Sequence, residues 1–281
     1  MLTCSEALKQ YYYEHAVERV VARRRLEYAI DALNGFMADK PLQDVDIPLC
    51  RAYRGHRGVS DSTVRRELGV LQAASNHARK WKRITLDKMP SIELPPESEP
   101  RLIWLYKDEL AQLLEIAQEK ERVLRFIQIA YHTAGRKASI ETLEWSQVDL
   151  DAKRINLSKA GERQTKKRRP IVPVSEAMCG ILQQMKDKAD NQWVLGSPNN
   201  IAPGLEYMLK KAGMFELPER GLRAKGNLTA HVLRHSRATH LLQDGRTPYA
   251  VAQLLGDTIV TLLKTYGHAC PDYMAEIMGE S

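Results

Sequence analysis

The sequence predicts a mainly α chain of two domains, the first all-helical and the second helical with a small antiparallel β-sheet. Three observations predict it. Apolar residues recur at helical spacing through most of the 281 residues. Pro90, Pro95, Pro96 and Pro100 crowd one short stretch that no helix can cross. Two β-like runs, at 148–157 and 169–174, interrupt the helical pattern of the second half. The prolines set a linker at 90–101, between a domain over 1–89 and one over 102–281.

In the first domain the clearest helix runs from Ser60-Asp61-Ser62, a plausible N-cap region, to about Trp81. Val64, Leu68, Leu71, Ser75 and Ala78 share one face. Arg65, Gln72, Asn76 and Arg79 form a polar stripe beside it. Such a stripe suits a DNA groove or a solvated helix face. The second domain opens with a helix at Lys107 that carries Leu110, Leu113, Leu114 and Ala117, and a second follows over 122–133. The two β-like runs flank a basic hairpin. Helix resumes from Ser175, with a break at 199–203 and a loop over 217–227. An amphipathic run over 251–263 is broken at Gly256.

The chain carries 42 basic and 35 acidic residues, a formal charge of +7. The excess is clustered. Arg51, Arg54, Arg57, Arg65, Arg66, Arg79, Lys80, Lys82 and Arg83 stand against only Asp61 and Glu67. Lys159, Arg163, Lys166, Lys167, Arg168 and Arg169 stand against Glu162 alone. Two separated basic patches fit a polyanion held by two domains, or two solvated surfaces. The four cysteines are widely spread, with no zinc spacing and no disulfide framework, which suits a reducing cytosol. No apolar run approaches the ~18 residues of a membrane span and no signal-peptide pattern opens the chain, so the expected compartment is the cytoplasm.

Chemistry concentrates at a few residues. Arg136 follows Thr133-Ala134-Gly135 and offers a planar fork of donors that matches two phosphate oxygens. In His231-Val232-Leu233-Arg234-His235, His231 and Arg234 are three apart and share a helical face. His235 and His240 read as packing or bystander residues. Tyr266, 32 residues after Arg234, offers an oxygen nucleophile that needs a proton acceptor and nearby cations. Lys166 and Lys167 stand beside Arg168 and Arg169, whose charge can lower a lysine pKa toward proton donation.

Together these strings resemble the tyrosine recombinase family of phage-integrase-like enzymes. The motifs are Thr133-Ala134-Gly135-Arg136 with Trp145 nine residues on, the hairpin ending Ile171-Val172-Pro173-Val174, the His231–His235 string, and Leu254-Leu255-Gly256 ahead of Tyr266. The resemblance implies a helical core-binding domain and an α+β catalytic domain. It implies that Arg136 and Arg234 clamp the scissile phosphate, that His231 manages the tyrosine proton, and that Tyr266 is the nucleophile. Lys166 or Lys167 would protonate the leaving 5′-oxygen. Arg54, Arg65, Arg66, Arg79, Lys80, Arg168 and Arg169 are the expected DNA contacts.

Two departures from the family pattern are visible. Asp257 stands where the family usually has His or Trp, and Ser139 stands where it tends to have an acid three residues after the first arginine. Asp257 either turns to hold an arginine or leaves its place to another donor such as His268. No metal or other cofactor is implied. The implied partners are duplex recombination sites, bound by a dimer per site and a homotetramer on two sites, with DNA-bending accessory proteins as a further class. The implied setting is DNA in a bacterial or phage-infected cell. The implied role is integration or excision of a phage or mobile element. Xer-type dimer resolution and a catalytically silent DNA-binding protein are the alternatives. The chain is also expected to start almost directly with its core-binding domain, without a preceding arm-binding domain.

Overall fold

Two helix starts in the first unit fall where a side chain caps them. Thr3 accepts from the Glu6 N–H at 3.2 Å and Glu6 accepts from the Thr3 N–H at 2.8 Å. This opens α1 (Cys4–Tyr11), which continues through a π turn (Tyr12–Ala16) into the short α2 (Val17–Arg19). The structure is a computed structural model that describes residues 1–20, 23–97, 103–158, 170–221 and 223–270. It divides into two compact units, Met1–Glu99 and Pro100–Ser281. No helix among the described residues is long and apolar enough to cross a membrane.

The first unit continues with α3 (Arg23–Met37), α4 (Ile47–Arg57) and α5 (Asp61–Lys80). Asp46 caps α4 by accepting from the Leu49 N–H at 2.9 Å, and Gly58 ends it in the left-handed region at φ +57°. On α5 the anticipated face is the buried one: Val64, Leu68, Leu71, Ser75 and Ala78 all lie in the core. Leu8, Leu33, Leu42 and Tyr53 pack against it from the other elements.

Glu67 is buried within this apolar packing. It accepts from Tyr53 Oη at 2.6 Å and from Arg57 through two bonds of 3.0 and 2.8 Å. The residues after Met89 are also more integrated than a linker would be. Ser91 N–H donates to the Val45 carbonyl at 2.9 Å, and Ile92 and Leu94 pack against the core. Glu93, between them, meets Arg51 through two bonds of 2.7 and 2.8 Å. Extended chain alternates its side chains, so one short stretch half-buries two apolar groups and salt-bridges the residue between.

The second unit has α6 (Lys107–Ala117), α7 (Glu121–Thr133) and α8 (Lys137–Glu141) ahead of a three-stranded antiparallel sheet. The sheet runs β1 (Val148–Asp149), β2 (Arg154–Asn156), β3 (Ile171–Pro173), with Val148 opposite Ile155 and Ile155 opposite Val172. Those three form its buried column. Then follow α9 (Glu176–Asp187), α10 (Ala202–Lys211), β4 (Glu216–Leu217), β5 (Gly226–Asn227), α11 (Ala230–Gln243), α12 (Pro248–Leu255) and α13 (Ile259–Tyr266). The expected break at 199–203 ends earlier than anticipated, because Pro203 sits in the first turn of α10, where its missing N–H is harmless. The loop over 217–227 is closed by the β4–β5 pair, which sequence periodicity does not announce. The basic hairpin over 159–169, with Lys166, Lys167, Arg168 and Arg169, lies outside the described residues.

Burial pushes the Glu67 carboxyl up, but the bonds from Arg57 and Tyr53 outweigh it, leaving the group below its usual range. A depressed folded pKa stabilises above the unfolded value and is lost as pH falls through the folded one. Glu67→Ala is expected to cost about 3 kcal/mol at pH 7, read as a lower urea midpoint of the first unit's transition. The gap between variant and parent should shrink below about pH 4. An equal gap at pH 7 and pH 3 would show that lost packing, not the charge, sets the cost.

Candidate active site

The site begins at the end of α7. Ala134 stands in the left-handed region at φ +50°, and Thr133 Oγ1 donates to the Ile129 carbonyl at 2.7 Å while accepting from the Gly135 N–H at 3.1 Å. A Cβ on Gly135 would lie 2.6 Å from Ile140 Cδ1 and 2.9 Å from Thr133 Oγ1. A larger residue here would have to push the Ile140 and Thr133 side chains aside. The turn delivers Arg136 as the N-cap residue of α8, with its side chain partly exposed.

Arg234 on α11 is 4 % exposed. Its Nη1 donates to the Ala134 carbonyl at 2.8 Å. Its Nη2 donates to the Leu255 carbonyl at 2.8 Å and to Asp257 Oδ2 at 2.6 Å. One side chain thus ties together the end of α7, the end of α12 and the loop leading to α13. Gly256, at φ +64°, ends α12 and turns the chain so that Asp257 faces inward. The other Asp257 oxygen, Oδ1, accepts from Arg136 Nη2 at 3.0 Å. The two guanidinium groups converge on one carboxylate, one on each oxygen. Ser139 is buried, and its N–H donates to the Arg136 carbonyl at 2.9 Å.

Tyr266 closes α13, with its ring packed among Ala134, Ala238, Leu242, Leu255 and Leu262 and only 6 % exposed. Burial pushes its phenol up to about 12, Arg234 acts against this, and Asp257 adds to it. Its Oη lies 2.7 Å from His235 Nδ1, and the two rings are tilted at 5.5 Å between centroids. Burial holds the His235 imidazole down to about 4, with His231 and Arg234 acting in the same direction. The ring is therefore uncharged at neutral pH, and it shares a hydrogen bond with the phenol through Nδ1.

The structure thus places His235, read from sequence as a packing or bystander residue, against the Tyr266 phenol. His231 lies one turn earlier at the exposed end of α11, edge-on to the His235 ring at 4.6 Å. The spacing of four between the two histidines is the signal that sequence reasoning passed over. His240 is a packing residue, its Nδ1 bonded to Tyr131 Oη at 2.8 Å. His268 sits against Trp104, with ring centroids 5.7 Å apart.

In the first unit, Arg54 is held by Asp61 through two bonds of 2.7 and 2.6 Å, and Arg65 donates to the Pro95 carbonyl at 2.5 Å. Arg66, Arg79 and Lys80 are exposed along α5.

The phage integrase family model matches residues 103–271. The chain is 26% identical to an integrase of Salmonella phage P22 over 219 residues, which is 74% of this chain and 53% of that one. It is 24% identical to the tyrosine recombinase XerC of Bacillus subtilis over 263 residues, covering 87% of this chain and 82% of the other. The chain thus spans about half the length of the phage relative. Among solved structures, a Tn1549 transposon integrase in complex with transposon right end DNA superposes with a TM-score of 0.80 at 16% identity, covering 99% of this chain and 98% of that one. A lambda integrase tetramer bound to a Holliday junction gives 0.70 at 18% identity, covering 92% and 78%. The matched region holds both arginines, both histidines, Asp257 and Tyr266, and the chain belongs to the phage integrase family, the tyrosine recombinases.

Proposed function

We propose that this chain is a site-specific DNA recombinase that cuts and rejoins strands through a 3′-phosphotyrosyl intermediate. The observation that carries the reading is the convergence of Arg136 and Arg234 on one carboxylate, close to a buried tyrosine. A carboxylate and a phosphodiester each offer two acceptor oxygens and a single negative charge, so a fork pair that fits one fits the other. Arg234 commits three of its five N–H donors to Ala134, Leu255 and Asp257, which leaves two for a phosphate oxygen.

In this reading Tyr266 Oη attacks phosphorus, the Oη–P bond forms and the P–O5′ bond breaks. Lys166 or Lys167 on the hairpin protonates the departing oxygen. The 5′-hydroxyl of a partner strand then attacks the phosphotyrosyl link and releases the tyrosine. The link keeps the phosphodiester energy, so no nucleotide is consumed. Asp257 serves as the orienting carboxylate for both arginines.

The substrate is a pair of duplex recombination sites, bound by four protomers through the exposed cations of α5 and through Arg168 and Arg169. The DNA-bound integrases of similar fold support this. Integration or excision of a phage or mobile element is the first reading of the biological role. Xer-type dimer resolution is the second, favoured by the XerC relative, which matches over most of both chains.

Tyr266→Phe is expected to abolish the covalent adduct on a nicked duplex while leaving duplex binding within about threefold, since the ring is kept and only the nucleophilic oxygen goes. Adduct persisting in that variant would remove Tyr266 from the reaction.

Asp257→Ala and Asp257→His are both expected to slow single-turnover cleavage at saturating protein by roughly 10–100-fold, because each releases two aligned guanidinium groups. A faster alanine variant would show the carboxylate to be a competitor of the phosphate rather than its guide.

A further inference from the structure

We infer that Trp104 is a positioning residue for Tyr266, its indole packing against His268 and thereby fixing the turn that carries the phenol. The inference rests on the strand-transfer reading above and adds to it a residue that acts through its neighbour. Tyr266 is the last residue of α13, and its own backbone has left the helical region at φ −124°, ψ 6°. Gly267–Ala269 then form a single 3₁₀ turn, with the Cys270 N–H donating to the Gly267 carbonyl at 3.1 Å. Ile259, Val260 and Leu263 leave the outer side of α13 exposed, so the helix is held along one side only. Its start is fixed by the Thr258 cap. Its end is fixed by the turn, where Ala269 enters the apolar core and His268 lies against Trp104, with ring centroids 5.7 Å apart and planes at 38°.

Trp104 can act as a wall because the extended segment 103–106 is pinned at every residue. Ile103 fits against Gly226, where a Cβ would lie 2.2 Å from Ile103 Cδ1. The Trp104 carbonyl accepts from Arg223 Nη1 at 3.2 Å, and Arg223 is itself wholly buried and paired with Glu109. The Leu105 N–H donates to Ser236 Oγ at 2.8 Å. The Tyr106 N–H donates to Glu109 Oε2 at 2.8 Å, and its hydroxyl donates to the Arg220 carbonyl at 2.7 Å. Ser236 stands two residues after Arg234 on α11, so the wall and the second arginine are referred to one helix. The indole Nε1 and the imidazole Nε2 are both enclosed with no hydrogen-bond partner among the described residues. The contact is therefore one of ring packing, and enclosing two unpaired ring nitrogens weakens the fold rather than supporting it. What the contact supplies is position. A nucleophile needs position, since a displacement of about 1 Å can cost about 10²-fold in rate.

The test incorporates a ring-fluorinated tyrosine at position 266 in the full chain and follows two readouts. One is adduct formation at saturating protein on a pool of randomised-sequence duplexes carrying a single nick. The other is the fluorine NMR resonance of that ring without DNA. Trp104→Ala and His268→Ala are each expected to slow adduct formation by about 10-fold or more, with duplex binding within about threefold of the parent. In both, the fluorine resonance should shift or broaden. The double variant should be no slower than the slower single one, because both changes remove one contact. Trp104→Phe should restore the parental rate and resonance, since it keeps a ring and loses only an unpaired N–H. A parental rate in His268→Ala would overturn the inference, and that variant decides the matter if Trp104→Ala does not fold. Slow variants with a parental resonance would overturn it too, by showing that the slowing arises away from the tyrosine. So would a Trp104→Phe variant as slow as Trp104→Ala. A parent chain that forms no adduct would overturn the strand-transfer reading, while the fluorine readout would still decide whether Trp104 holds the Tyr266 ring.

Discussion

A buried guanidinium is the constraint around which the second unit's candidate site is built. Arg234 is almost entirely enclosed, and an enclosed cation is costly unless its donors and its charge are met. The acceptors come from three places far apart in the chain: the left-handed end of α7, the end of α12, and the loop before α13. The side chain we propose as one half of a phosphate clamp is thus also the pin that holds α7 and α11 to the end of α12 and the loop before α13. Packing and chemistry share the same atoms, and a change at Arg234 acts on both.

The charge arithmetic of the pocket follows. Two guanidinium groups and the Asp257 carboxylate sum to one positive charge, the complement of a phosphodiester. A histidine at position 257 would leave more positive charge for the transition state and no carboxylate on either fork. In the proposed reaction the aspartate would give up some attraction for phosphate in exchange for alignment, since each of its oxygens is engaged by a different arginine. The hairpin cations, Lys166 and Lys167 among them, then become more important to the strand-transfer reading, because developing charge on phosphorus exceeds what the clamp alone neutralises.

What sequence revealed was what depends on local periodicity and local caps. The buried face of α5, the starts of α6 and α7, the two β-like runs and the break at Gly256 all follow from residues within one or two turns of each other. Glu67 in the first core was not legible, since its partners Tyr53 and Arg57 lie on another helix and an acidic residue beside two arginines reads as surface. The β4–β5 pair is two residues a side, too short for alternation to register. Within the candidate site, positions 136, 231, 234 and 266 were singled out by motif spacing. Their partners were not: Ala134 and Arg234 are 100 positions apart, and nothing in the string His231–His235 says which imidazole reaches α13.

Ser139 and Asp257 are best understood as one change. An acid three residues after Arg136 would belong to α8, the arginine's own helix, and would steady it locally. With serine there, Arg136 is steadied from the α12–α13 loop instead. That loop is nine residues from Tyr266, and its Thr258 caps α13 by accepting from the Thr261 N–H at 3.2 Å. The first arginine and the tyrosine are thereby referred to the same short segment, while Arg234 and His235, adjacent on α11, reach that segment and the phenol from the other side. Position along α11 fixes which residue meets the Asp257 carboxylate and which meets the Tyr266 phenol: one step of about 100° separates Arg234 from His235.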